Sequence, residues 1–318
     1  MSSLKPIEVE RYEPSLAGEW DVFIASSKNG TFLFKRGFMD YHSARFADAS
    51  LVFRRGGKLL AVLPGNTSGE VFHSHQGLTY GGLVAGEALT AAFAVEIFGL
   101  MNEFLRTELG AKKVVYKPVP WIYHKLPAEE ALYAIVKVCG ARLAAREIST
   151  CIALEHKIKM AELRRRCIKK AERSGIEVSE SADLGAFWKI LSENLEGRYG
   201  VRPVHSLEEI ELLKSRFPQD IRLHVARSAD GATLAGILTF ETATVIHTQY
   251  IAASPAGKSL GALDLIVAKL MENPARKRFL DFGKSTEYAG RFLNETLIAQ
   301  KEGFGGRGLC YDTYEWNL

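Results

Sequence analysis

The sequence contains little cysteine, and its cysteines are not spaced as metal ligands. The 318 residues include four of them, Cys139, Cys151, Cys167 and Cys310. No two form the closely spaced pair that structural zinc sites generally use. We therefore expect reduced thiols in a cytoplasmic protein, and no bound metal.

A long uninterrupted apolar segment is also missing. The most apolar stretch, ALTAAFAVEIFGLMNEFL from Ala88, is broken by Glu96, Asn102 and Glu103. A membrane span needs about 20 consecutive apolar residues, so this stretch predicts a core helix. The first residues, MSSLKPIEVERYEP, carry acids and a proline where a secretory signal has an apolar region. The sequence thus predicts neither a transmembrane segment nor export.

Neither sign of charge dominates the composition. The chain has 41 Lys and Arg residues against 37 Asp and Glu, a net charge of +4. So mild a charge permits an anionic substrate but does not indicate nucleic acid by itself. An apolar content of 47% with 25% charged residues is ordinary for a globular protein. At roughly 150 residues per domain, the length predicts two domains.

An internal repeat supports this division. SLVFRRGGKLLAVLPG from Ser50 and RLHVARSADGATLAGILTF from Arg222 each contain two apolar runs joined by a glycine turn, which predicts a hairpin. Further strand-like sequence and a helix follow each copy, and KKVVYKP and RFLDFG then predict one more strand each. Strands alternating with helices predict two similar α/β units, each a mixed sheet flanked by helices, with the divide near Glu155.

Polar residues near predicted strand ends are the first candidates for a functional site, because ligands of α/β proteins bind at such ends. SHQGLTYGG, residues 74 to 82, places His75, Gln76 and Tyr80 among glycines. A hairpin turn would explain the glycines but not these polar side chains as readily. DFGKSTEYAGRFLNE from Asp281 follows a strand, and we expect it to enter a helix capped by Ser285 or Thr286, with Lys284 beside an anion.

Two basic segments offer further contacts for an anionic ligand. MAELRRRCIKKAERSG from Met160 predicts a helix whose cations form either a solvated face or a wall for phosphate-bearing ligands, RNA among them. KEGFGGRG, residues 301 to 308, places Lys301 and Arg307 around glycines before a final strand. It is either a simple loop or a turn that holds a charged ligand.

The basic helix RRRCIKKAERSG and the terminal FLNETLIAQKEGFGGRGLCYDTYE resemble the FemAB-like branch of the GNAT acyltransferase superfamily, near the group described as BioF2-like acetyltransferases. The resemblance implies two tandem GNAT-like domains, residues 1–155 on the acceptor side and 156–318 on the donor side. It also implies transfer of an acyl or aminoacyl group to an amine. The lysine of the family's FGG motif matches Lys301, which would contact phosphate or support the transferred carbonyl.

The donor implied by the resemblance is either acyl-CoA, as in ordinary GNAT enzymes, or aminoacyl-tRNA, as in FemAB-type relatives. The region equivalent to the GNAT pyrophosphate loop reads SPAGKSLGALDL, in which Lys258 and Ser259 keep a cation and a hydroxyl at a spacing that differs from the usual one. The long helical arm of several FemA-like relatives has no evident counterpart. We expect acyl-CoA as the co-substrate, with tRNA as the alternative.

Acyl transfer to an amine requires removal of a proton and stabilisation of an oxyanion. Asp281, His247 and His75 are the candidates for proton removal, and Tyr250 is a candidate to protonate the leaving group. For His247, which is flanked by apolar residues, a structural role is favoured. For the acceptor, an amine of a sugar or cell-envelope precursor, we expect contacts from Arg45, His42, Gln76 and Tyr80. A non-catalytic glycan-binding protein is the third alternative.

Overall fold

The computed structural model describes residues 5–272 and 277–318, apart from the side chains of residues 198 and 199. The predicted helix break at Asn273 and Pro274 lies outside these residues. The strands are β1 (Ile7–Arg11), β2 (Ala47–Asp48), β3 (Leu51–Arg55), β4 (Lys58–Leu63), β5 (Asn66–Ser68), β6 (Val71–His73), β7 (Val84–Ala85), β8 (Lys113–Tyr116), β9 (Arg142–Ala153), β10 (Glu177–Ser181), β11 (Ile221–Arg227), β12 (Thr233–Glu241), β13 (Val245–Ala253), β14 (Phe279–Lys284), β15 (Thr286–Glu287), β16 (Phe292–Leu293) and β17 (Arg307–Asn317).

The helices alternate with these strands. They are α1 (Ala17–Ser26), α2 (Arg36–Met39), α3 (Ala91–Thr107), α4 (Glu130–Cys139), α5 (Glu162–Arg173), α6 (Leu184–Tyr199), α7 (Leu207–Arg216), α8 (Pro255–Leu260), α9 (Ala262–Met271) and α10 (Glu295–Glu302). Within the described residues, none of them combines the length and the apolar character that a bilayer crossing requires. All four cysteines are free thiols.

The chain forms two compact units. Unit 1 comprises Met1–Glu147 and Cys310–Leu318, and unit 2 comprises Ile148–Leu309. Each of the strands β9 and β17 begins in one unit and ends in the other. The sequence-based division places a single boundary near residue 155 and contains no such shared strand. The acceptor and donor roles assigned to the two parts stay predictions.

Unit 1 builds its core from the helices α3 and α4 against short strands. The sheet β1-β3-β4-β7 is antiparallel, and β8 pairs antiparallel with β17 and parallel with β6. Thr90 caps α3 by accepting a hydrogen bond from the Phe93 amide, which satisfies one of the unpaired amides of the first turn. The buried side chains of α3 recur at helical spacing and pack on the apolar residues of β3 and β4: Ala94, Ile97, Phe98, Met101 and Leu105.

Unit 2 contains the sheet order β10-β11-β12-β13-β14-β9. All neighbours are antiparallel except β13 and β14, which run parallel because α8 and α9 connect them. The apolar face of α9 packs in the core of this unit beside residues of β12, β13 and β14. Gly236 of β12 lets Phe187 of α6 approach, since a Cβ at residue 236 would lie 2.4 Å from the Phe187 ring.

Both units repeat one scheme, as predicted. Each has a hairpin, β3–β4 or β11–β12, and a later pair of parallel strands, β6 with β8 or β13 with β14. The predicted α/β class with two units, each a mixed sheet flanked by helices, is confirmed.

The predicted helix after β14 is wrong. Residues 286–293 form the β15–β16 hairpin, and the helix begins only after Asn294, whose side chain accepts from the Leu297 amide. The backbone amide of Asn294 also donates to the Ser285 carbonyl, at 2.9 Å, which closes the base of the hairpin. Ser285 and Thr286 therefore lie before a strand turn and cap no helix.

Candidate active site

The candidate site lies in unit 2, where the pairing of β13 and β14 ends. The paired residues are Val245 with Phe279, Ile246 with Leu280 and, last, His247 with Asp281. Beyond this rung β13 continues beside β12 to Ala253, whereas β14 passes through a bulge and continues beside β9. The carboxyl ends of two parallel strands that follow different neighbours are a common place for a ligand.

Asp281 and His247 form a hydrogen-bonded pair on the last rung. His247 Nδ1 lies 2.9 Å from Asp281 Oδ2, and the Asp281 side chain is completely buried. The other carboxylate oxygen accepts hydrogen bonds from the Ser149 hydroxyl on β9 and from the Gly283 amide, at 3.2 Å. These contacts hold the carboxylate in one orientation, and the carboxylate in turn orients the imidazole.

The neighbour of Asp281 across the sheet is a shielded thiol. Cys151 of β9 pairs with Asp281, and burial, reinforced by the negative charge of Asp281, raises the pKa of the Cys151 thiol. A thiol that stays protonated is a poor nucleophile. The arrangement therefore favours acid–base chemistry over a cysteine-linked intermediate.

Lys301 stabilises the bulge of β14 through hydrogen bonds. It lies in the last turn of α10 with 7% of its surface exposed. Its ammonium donates to the Gly283 carbonyl (2.8 Å), the Lys284 carbonyl (2.9 Å) and the Ser285 hydroxyl (2.9 Å). An ammonium has three hydrogens, so these acceptors match its full donor capacity. Burial lowers the pKa of Lys301 to about 8, against the opposing effect of the Asp281 charge.

Two glycines allow this close packing. Gly283 has a φ of +74°, in the left-handed region, and a Cβ there would lie 3.4 Å from His247 Cε1. Gly306, in the turn after α10, passes β9 so closely that a Cβ would lie 2.4 Å from the Thr150 methyl group. The glycines of KEGFGGRG thus bring the segment that carries Lys301 against the strands of the site.

Side chains and amides of the predicted donor loop donate hydrogen bonds to other groups of the protein. Lys258 donates to the Asn194 side chain at 2.6 Å, and the Ser259 hydroxyl donates to the Ala256 carbonyl at 2.9 Å. The amides of Gly257 and Lys258 donate to the Ser254 side chain and carbonyl. The turn therefore uses these donors internally.

The remaining predicted residues of unit 2 lie in different surroundings. The Tyr250 hydroxyl lies 2.7 Å from His205 Nδ1, and burial raises the pKa of Tyr250. Arg307 and Lys284 are exposed. Of these residues, Lys301 contacts Lys284 through the Lys284 carbonyl, and Asp281 contacts the same bulge through the Gly283 amide.

Among the predicted residues of unit 1, His42 and His75 contact each other. The rings of His42 and His75 stack at 5.3 Å, and both side chains are buried. Burial lowers the pKa of His75 to about 3, with the charge of His42 acting in the same direction. The Gln76 side chain accepts from Asn66, the Tyr80 hydroxyl donates to Thr31, and the Arg45 guanidinium lies 5.5 Å from the Tyr41 ring.

The cations of the basic helix, α5, divide into two groups. Arg164 forms an ion pair with Asp264 at 2.8 Å, Arg165 pairs with Glu162, and Lys170 donates to the Ser259 carbonyl at 2.7 Å. The others are exposed: Arg166, Lys169 and Arg173. Some cations of α5 therefore stabilise the packing of unit 2, and the others face solvent.

Sequence reasoning named Asp281 and His247 but not their pairing, and it missed Ser149. Ser149 is 132 residues from Asp281 in the chain, so only the register of β9 and β14 brings it to the carboxylate. A structural role was favoured for His247, yet the repeat carries a signal: VFHS from Val71 and VIHT from Val245 both place a histidine on the third rung of the parallel pair.

Comparison with known proteins agrees with this arrangement. Residues 160–289 match a family model described as an acetyltransferase (GNAT) domain. No curated protein sequence matches the chain. The fold is similar to that of FemX, with 12% identity, a TM-score of 0.67, and coverage of 98% of this chain and 97% of that one.

Two further solved structures are similar. L-PGS from Bacillus licheniformis has 13% identity and a TM-score of 0.58, with coverage of 96% of this chain and 91% of that one. The C-terminal domain of a putative lysylphosphatidylglycerol synthetase from Agrobacterium fabrum has 13% identity and a TM-score of 0.53, with 80% of each chain covered. At such identities the similarity concerns the fold. The sequence match within unit 2 and this common fold agree with the predicted resemblance: residues 160–289 belong to the GNAT acetyltransferase domain family, and the chain as a whole has a fold similar to that of FemX.

Proposed function

We propose that the protein is an N-acyltransferase that moves an acyl group from acyl-CoA to an amine of a sugar or cell-envelope precursor. Unit 2 would hold the donor and the reacting carbonyl, and unit 1 would contact the acceptor. The observation that carries this proposal is the last rung of β13 and β14, where a buried carboxylate orients an imidazole inside the segment that matches the GNAT domain.

The chemistry needs two things from this site. A neutral amine that attacks a thioester gives an oxyanion, and it must also lose a proton. Lys301 supports the first requirement indirectly: its contacts fix the peptide groups of Gly283 and Lys284, and its charge lies just behind them. Positive charge in a site that excludes water stabilises a developing oxyanion more than it would in bulk water. We therefore assign Lys301 a positioning and electrostatic role.

The acceptor is proposed from the family resemblance. FemAB-type relatives act on cell-wall peptide precursors, and one protein of similar fold is named as a putative lysylphosphatidylglycerol synthetase. Arg45, His42, Gln76 and Tyr80 stay the proposed acceptor contacts, His75 and Tyr250 stay catalytic candidates, and Arg307, Lys258, Ser259 and Lys284 stay the proposed donor contacts. The cytoplasmic location expected from the thiols also stays a prediction.

One observation favours the second candidate donor, aminoacyl-tRNA. A CoA pyrophosphate needs backbone donors, yet the amides of Gly257 and Lys258 are occupied within their own turn. The exposed cations of α5, Arg166, Lys169 and Arg173, would instead suit a long phosphate backbone.

Thermal unfolding with each donor tests the proposal first. Coenzyme A and acetyl-CoA are compared with no ligand, using the native protein and Lys258→Ala. A ligand at about a hundred times its dissociation constant adds roughly 2.7 kcal/mol of stability. A shift that weakens in Lys258→Ala supports acyl-CoA. The absence of a shift at millimolar ligand rejects it, and charged tRNA is then the donor to test.

Product formation completes the test. Incubation of the protein with a bound donor and amino sugars should give an amide that mass spectrometry detects. Binding of a donor without an amide on any amine tested would instead favour the non-catalytic glycan-binding alternative.

A further inference from the structure

We propose that His247 is the group that takes the proton from the attacking amine, and that Asp281 positions it. This inference rests on the acyl transfer proposed above and adds the identity of its base. Asp281 itself is completely buried, with Oδ2 facing the imidazole and Oδ1 accepting from Ser149 and Gly283. It therefore acts through the imidazole, whose side chain keeps 13% of its surface exposed.

The surroundings of His247 agree with this role. Nδ1 is engaged with the carboxylate, so Nε2 is the atom that would accept the proton. Gly283 lies on that side of the ring, where a Cβ would lie 3.4 Å from Cε1 and 4.0 Å from Nε2. The left-handed glycine thus keeps side-chain atoms away from the edge of the ring, and Lys301 holds that glycine in place.

The repeat supplies an internal comparison. His73 occupies the same rung of the parallel pair in unit 1, but its partner there is Val115. Burial lowers the pKa of His73, and the charges of Lys117 and Lys113 act in the same direction. A histidine that faces cations and has no carboxylate on its rung is a poor proton acceptor. The pairing of a histidine with a carboxylate therefore occurs on this rung in unit 2 and not on the matching rung in unit 1. His73 provides a matched control.

The proton balance of the step is complete. The amine nitrogen attacks the carbonyl carbon, the C–N bond forms, and a proton passes from nitrogen to His247 Nε2. The tetrahedral intermediate then breaks its bond to the leaving group, which is the thiolate of CoA or the ribose oxygen of a tRNA. The imidazolium returns the proton to that group, so the products are an amide and a thiol or hydroxyl, and the enzyme is regenerated.

Transfer rates of three variants and the native protein test this inference. His247→Gln should lower kcat by about 10²–10⁴-fold, the usual contribution of a general base, with KM little changed. Asp281→Asn should lower kcat as well, because the imidazole loses its orienting carboxylate. His73→Gln should keep the native kcat, KM and pH profile.

The pH profile separates proton transfer from a structural role. A base accepts a proton only in its unprotonated form, so the native kcat should fall as the pH is lowered. Titratable groups beside the His247–Asp281 pair include Cys151 on β9 and Lys301 on α10, while β12 places Phe240 opposite His247. The acidic limb should be absent from the residual activity of His247→Gln, and added imidazole should restore activity to His247→Ala.

The outcomes distinguish this inference from the proposed function. A native protein that forms no amide from any donor contradicts the proposed function. A native protein that is active, with a kcat that does not fall towards pH 5, overturns the assignment of His247 even if no variant folds. A folded His247→Gln variant with native kcat and pH profile overturns it as well.

Discussion

At the scale of single residues, the site depends on a lysine that is largely removed from water. Burial disfavours the charged form of Lys301, which is why its pKa falls from 10.5 to about 8. The three protein acceptors offset part of this cost, because they replace the hydrogen bonds that the ammonium makes in water.

The lowered pKa predicts how stability changes with pH. Between about pH 8 and 10.5 the unfolded chain binds a proton at Lys301 that the folded protein does not. The free energy of unfolding therefore rises with pH in this window through this group. We expect the difference in unfolding free energy, native minus Lys301→Met, to increase from pH 8 to pH 10 in urea titrations. A difference that stays constant over this range would contradict the buried, desolvated lysine.

The residues of the site were predictable to different degrees. Asp281 and Lys301 follow from local signals, the end of an apolar strand and a short basic glycine motif. The contacts of Ser149 and His247 with Asp281 depend on the register between strands that are far apart in sequence. This register cannot be predicted from the local sequence of each strand.

At the scale of elements, the hairpins that turn through glycine were predictable. The β3–β4 turn uses Gly56 and Gly57, both with positive φ, as two-residue hairpin turns require. The β15–β16 hairpin carries a weaker signal: its loop contains Gly290 with a positive φ, but Tyr288 and Ala289 also occupy left-handed conformations, which their side chains disfavour. A further backbone bond, from the amide of Asn294 to the Ser285 carbonyl, closes the base of this hairpin.

This strain predicts a stabilising substitution. Ala289 has a φ of +56° and is exposed, so Ala289→Gly should raise the free energy of unfolding by about 0.5–1 kcal/mol, after the greater freedom of glycine in the unfolded chain is subtracted. Chemical denaturation measures the change. Ala92→Gly, at an exposed position of α3, is the control and should lower stability by about 0.5 kcal/mol. Equal destabilisation by both substitutions would show that Ala289 is not strained.

At the scale of the whole molecule, the chain contains one scheme twice, with different chemistry in each copy. Composition and periodicity were sufficient to predict two mixed α/β units, since the hairpins and helices recur in the same order. They did not predict that β9 and β17 each contribute residues to both units, because a unit boundary inside a strand has no local sequence signal.

The exposed cations of α5 in unit 2 allow acyl-CoA and aminoacyl-tRNA to be distinguished as donors. If the donor is aminoacyl-tRNA, the double variant Arg166→Glu, Lys169→Glu should raise KM for charged tRNA at least tenfold and reduce its dependence on salt, because fewer counterions are released. If the donor is acyl-CoA, the same variant should leave KM for acetyl-CoA nearly unchanged. Steady-state kinetics at two salt concentrations make the comparison, with Arg216→Glu on α7 as a control that reverses one charge on another helix.

The central claim is that unit 2 transfers an acyl group at the last rung of β13 and β14. The most direct measurement is the amount of amide formed in a single turnover, by mass spectrometry, with acetyl-CoA or charged tRNA as donor and an amino sugar or peptide amine as acceptor. We predict product with the native protein and with His73→Gln, and at least a hundredfold slower formation with His247→Gln. Native protein that binds a donor but forms no amide, or equal rates for the two histidine variants, would contradict the account.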